Sequence, residues 1–175
     1  MLDFLWSILQ LGIVIGGLLF VHELGHYVIG RWVVGIPAAE ITIVMLESPQ
    51  HVVLRDGDEW VRPSEFERYS ERYERYDPEY THLEAYIGAG EIFQTIGVLI
   101  TVGVLLGIGM PSVAASIVLL SLLLTALYLV FDVGMFVYSG HPAGDYSALW
   151  QVSPLAAVAV LLAFLLPHVA LYLWL

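Results

Sequence analysis

The chain has 175 residues, 59% of them apolar and 13% charged, against roughly 45–50% and 25% in soluble domains. Cysteine is absent, which excludes disulfides and thiolate metal sites and leaves His, Asp and Glu to hold any metal. A net charge of −11, from 17 acidic residues and six arginines, argues against nucleic acid as a partner, since that needs a basic face.

Four apolar segments stand out, at about Phe4–Val34, Ala85–Met110, Ser112–Tyr138 and Pro154–Leu175. Each reaches the ~20 residues that cross ~30 Å of hydrocarbon at ~1.5 Å per residue. This predicts an all-α integral membrane protein: one domain over 1–175, with four transmembrane helices and a polar insert at about 35–84. The first segment carries Asp3 in place of a basic region and lacks a convincing cleavage site, so it reads as a retained span, not a signal peptide. Gly12–Gly16 and Gly103–Gly107 have GxxxG spacing, which permits close helix approach within the chain or in a homo-oligomer.

In the insert, Glu40–Glu47 and His51–Leu54 read as strands joined at Ser48-Pro49. A second turn, Arg55-Asp56-Gly57-Asp58, precedes Glu59–Val61, and Asp-Gly between apolar runs signals a small β-hairpin. Ser64 and Glu67 form a capping box for a helix to about Tyr76. Its stripe of Phe66, Tyr69, Tyr73 and Tyr76 predicts an interfacial amphipathic helix, or one packed on the hairpin. Thr81 and Glu84 offer a cap for the second span. Eleven of the 17 acids lie between Glu47 and Glu84. They form a solvated loop or, on a sharper reading, the surface of a halophile protein.

All six basic residues lie in the insert or, as Arg31, at the adjoining end of the first span. The positive-inside rule therefore predicts a multi-pass cell-membrane protein with this side cytoplasmic and both termini outside.

The chemistry concentrates in His22-Glu23-Leu24-Gly25-His26, the HExxH pattern. Histidines four apart project from one helix face and can share one zinc, with Glu23 beside them to take a proton from water. Three ionisable residues in five positions of an apolar helix are costly unless they are paired or ligating. Catalytic zinc usually has three protein ligands, and Glu91, Asp132, His141 and Asp145 are candidates for the third. The motif lies toward the cytoplasmic end of its span. Asp145 follows the same end of the third span, in a Gly/Pro-rich stretch that can fold back toward it. Asp145 is therefore favoured. Asp132 reads as a supporting or helix-contact carboxylate, and Glu91 as an interior hydrogen-bond partner.

HELGH followed by Pro142-Ala143-Gly144-Asp145, with Gly90-Glu91-Ile92-Phe93-Gln94 between them, resembles the site-2 protease family of intramembrane metalloproteases. That family carries HExxH on one core helix, a Gly-Pro-x-x-Asn-like element on the next and an Asp near a Pro-x-x-Asp-Gly stretch. Here Glu91 and Gln94 stand for Pro and Asn, and Tyr146 follows Asp145, as in a divergent, minimal member. The resemblance implies Zn2+ on His22, His26 and Asp145, and a transmembrane protein substrate in the lipid bilayer. Glu23 would be general base, and Gln94 or His141 would hold the oxyanion or substrate backbone. Strand addition along Val52–Leu54 would keep the substrate extended. A non-catalytic metal-binding scaffold and a metal transporter are the competing readings.

Overall fold

The structure, a computed structural model, describes residues 2–47 and 49–175. Helix α1 (Leu2–Ile29) continues through a π-helical turn, Gly30–Val34, into a three-stranded sheet of β1 (Ile41–Val44), β2 (His51–Asp56) and β3 (Glu59–Val61). There follow α2 (Phe66–Glu74), α3 (Leu83–Gly107), α4 (Pro111–Ser139), the short α5 (Asp145–Val152) and α6 (Pro154–Trp174). α1 with its π-turn, α3, α4 and α6 are long and apolar enough to cross a membrane. Leu5, Trp6, Ile100, Val130 and Leu155 are among their many exposed apolar side chains. In water such an apolar surface would drive association, whereas a bilayer solvates it.

Pro111 opens α4 at its first turn, where no amide donor is needed, and Gly109 at φ 75° makes the bend before it. The bundle closes around α3, which packs on α1, α4 and α6. Small residues permit this. A Cβ on Gly25 would lie 2.4 Å from the Ala89 carbonyl oxygen, and one on Gly97 would lie 2.9 Å from Val21. The GxxxG glycines named from sequence make no close approach within the chain: among the described residues, no other element comes within 4 Å of a Cβ placed on Gly12, Gly16, Gly103 or Gly107.

The sheet is antiparallel in the order β1–β2–β3, so β2 is central and the expected hairpin is a three-stranded meander. Of the expected Ser48-Pro49 turn, Ser48 lies outside the described residues. Ile36, Ile41, Leu54 and Tyr73 are almost fully buried beneath the sheet, each aliphatic contributing about 1.5–3 kcal/mol relative to exposure. Tyr69, Tyr73 and Tyr76 of the aromatic stripe pack into this core, and Phe66 alone stays exposed. The stripe is thus used against protein.

Two expected caps are replaced. α2 begins after Glu65, whose carboxylate accepts the Arg62 N–H, so Ser64 and Glu67 form no box. α3 has no side-chain cap on its first turn; Asp77 instead holds the turn before it, accepting the Thr81 and His82 N–H groups at 2.9 and 2.7 Å and the Tyr73 hydroxyl at 3.0 Å. Burial pushes the Asp77 carboxyl up, but these three donors outweigh it and hold it below its ordinary value.

Candidate metal centre

α1 presents His22 and His26 one turn apart toward α3 and α5. The His26 Nδ1–H donates to the Tyr86 carbonyl at 2.8 Å, which leaves Nε2 as the free ligand atom. The His22 and His26 Nε2 atoms lie 3.3 Å apart, and 2.9 and 3.1 Å from a single oxygen, Oδ2 of Asp145. Tetrahedral zinc with bonds near 2.0–2.1 Å sets its ligand atoms about 3.3–3.4 Å apart, so this cluster needs only slight opening to hold an ion. Gly90 supplies room: a Cβ there would stand 2.4 and 2.5 Å from the His22 and His26 Nε2 atoms.

Asp145 is the first residue of α5, an eight-residue helix where the Gly/Pro-rich sequence predicts irregular backbone. Its first turn is held from α4. Asp132, buried, accepts the Ser147 N–H at 2.8 Å and also the Ser147 hydroxyl. That hydroxyl accepts the Ala143 and Gly144 N–H groups in turn. A Cβ on Gly144 would lie 2.9 Å from the Asp132 carboxyl carbon, so a side chain there would displace that carboxylate. Burial pushes the Asp145 carboxyl up, yet the charge and hydrogen bonds of His26 and His22 draw it far below the carboxylate range. Its side chain keeps 37% exposure, against 16% for His22 and 9% for His26, so the site opens on the Asp145 side.

Glu23 is buried beside the imidazoles, within electrostatic reach of His26, His22 and Asp145. Glu91 on α3 is also buried, with Oε1 4.0 Å from the His22 Nδ1, on the ring edge away from Asp145.

The structure thus brings His22, His26, Asp145 and Glu23 together and leaves two further candidates elsewhere. Gln94 points its amide at α4, donating to Ser121 at 3.0 Å and Thr125 at 3.3 Å. Its amide N–H groups are thus engaged in packing α3 on α4. His141 sits in an exposed bend, where its backbone N–H and carbonyl bond the Ser139 hydroxyl. The sequence reading missed His168. Its Nδ1–H donates to Phe164 at 2.8 Å, and its Nε2 accepts from Ser121 at 3.1 Å, which links α6 to the Gln94 network. The packing glycines Gly25 and Gly90 were also missed, although both lie inside the motif elements.

Among the described residues, His22, His26 and Asp145 are the one group of three or more such side chains able to hold a metal ion. No protein-family model, curated protein or solved structure matches this chain.

Proposed function

We propose that the chain is an intramembrane zinc metalloprotease, a divergent and minimal relative of the site-2 proteases, that hydrolyses peptide bonds of membrane-spanning or membrane-adjacent substrates. The observation that carries this reading is the meeting of both motif imidazoles on one Asp145 oxygen, with Glu23 buried beside them. Their donor set, two nitrogens and a carboxylate, is one that catalytic zinc takes. Zinc held there would make water a competent nucleophile near neutral pH and would polarise the scissile carbonyl. Glu23 takes the proton from the attacking water and delivers it to the leaving amine. His22, His26 and Asp145 keep the reaction beside the cytoplasmic end of α1, with both termini on the far side of the membrane.

The substrate must be extended before its peptide bonds are accessible. β2 is flanked on both sides, so strand addition falls to an edge. β1 is the edge that follows α1 directly, and Ile41 packs against Gly30, one turn beyond His26. The Arg55 N–H donates to the Glu40 carbonyl at 2.9 Å, so the pairing parity turns the N–H and C=O groups of Ile41 and Ile43 outward.

A metal-binding scaffold has no need of Glu23, and a transporter needs ligand groups at successive depths where one group is described. The test is Glu23→Gln, assayed on a fluorogenic single-span peptide in detergent. It should retain zinc and lose at least 100-fold in cleavage, the scale of a general base. Unchanged cleavage, or no cleavage by the unmodified chain across a panel of such peptides, would overturn the proposal.

A further inference from the structure

His26 has its orienting acceptor in the Tyr86 carbonyl; His22 faces a different group. When the Nε2 of an imidazole ligates a metal, its Nδ1 carries the proton and needs an acceptor, which fixes the ring. The acidic atom toward the His22 Nδ1 is Oε1 of Glu91 at 4.0 Å, about 1 Å beyond hydrogen-bond distance. Two further atoms at this place are unsatisfied. Oε2 of Glu91 and the Tyr146 hydroxyl are both buried without a partner. The hydroxyl lies close enough to feel the Glu91 carboxylate but closes no hydrogen bond of ordinary geometry with it. A carboxylate buried within a span, between a metal-ligand candidate and a hydroxyl, is costly unless those contacts are made.

We propose that Glu91 is a positioning residue that accepts the His22 Nδ1–H and so holds Nε2 toward the metal, with the Tyr146 hydroxyl donating to the other carboxylate oxygen. The proposal rests on the metal site proposed above and adds a supporting chain, His22–Glu91–Tyr146, across α1, α3 and α5. Because Tyr146 follows Asp145, the chain also ties the third ligand's helix to the first ligand's ring.

The test uses the purified full chain in detergent, stripped with chelator and titrated with Zn2+ against a competing dye. The Co2+ form is followed by its d–d absorption. Glu91→Ala should lower zinc affinity about 10–100-fold and weaken the tetrahedral Co2+ bands. Glu91→Gln keeps an acceptor oxygen and should fall less, as should Tyr146→Phe. The Glu91→Ala/Tyr146→Phe double variant should match Glu91→Ala, because both act through one carboxylate. If Glu91→Ala does not fold, Glu91→Gln and Tyr146→Phe carry the comparison. Wild-type affinity and Co2+ spectrum in the Glu91 variants, or fully additive losses, would overturn the proposal and leave the metal site standing. Absence of zinc binding by the unmodified chain would overturn both.

Discussion

Asp132 and Ser147 join two helices through one carboxylate: Asp132 on α4 accepts the Ser147 backbone N–H at 2.8 Å, and the Ser147 hydroxyl as well. Ser147 sits in the first turn of α5, two residues after Asp145, so this contact fixes the helix that presents Asp145 to the imidazoles. Asp132→Ala removes a cap worth about 1–2 kcal/mol. If that ordering cost falls on metal binding, zinc affinity drops roughly 5–30-fold. Competition titration measures the affinity, and faster amide exchange across 145–152 should accompany the loss.

Gly90→Ala and Gly25→Ala should fail in different ways. Alanine is the better helix former by about 1 kcal/mol, so without the contacts both changes would stabilise. At Gly90 the added carbon overlaps the two Nε2 atoms, and metal binding should fall at least tenfold with little change in the melting temperature of the metal-free chain. At Gly25 it overlaps the Ala89 carbonyl. There α1 and α3 must separate, at about 1–3 kcal/mol, and the melting temperature should drop. Thermal melts with and without Zn2+ separate the two.

Asp77 gives the insert a defined acid dependence. Its carboxyl is held below the ordinary value in the folded chain. The stabilisation is therefore complete above the unfolded value of ~3.9 and is lost as pH falls through that value toward the folded one. Asp77→Asn should melt lower than the parent chain at pH 7, and the gap should narrow at pH 3.

The β1 edge is tested by proline. Ile43→Pro removes an outward N–H and leaves the β1–β2 ladder intact, so the sheet should survive while cleavage of a single-span peptide falls. Ile43→Ala should keep cleavage. Thr42→Pro instead strikes a ladder position and should unfold the sheet, read by amide exchange over β2.

What was legible in the sequence was periodic or local. The four long helices follow from the length of their apolar runs, and the common face of His22 and His26 follows from helix geometry. Asp145 stood out through the Gly/Pro stretch before it. α5 was hidden because its first turn is capped by Asp132, thirteen positions upstream on another helix. The turn before α3 was likewise hidden, since it is held by Asp77 and not by the adjacent Thr81. The packing glycines could not be sorted by spacing, since Gly12 and Gly25 differ only in what lies opposite them. The partners of Gln94 were hidden for a related reason: its motif position was visible, but the α4 hydroxyls that take its amide were not.

The central claim is that His22, His26 and Asp145 share one ion. Crystals grown with Zn2+ and measured at the zinc absorption edge test this most directly. An anomalous peak should lie about 2.0–2.2 Å from both Nε2 atoms and from an Asp145 oxygen. A zinc-saturated chain with no peak there, or with the ion held without Asp145, would contradict it.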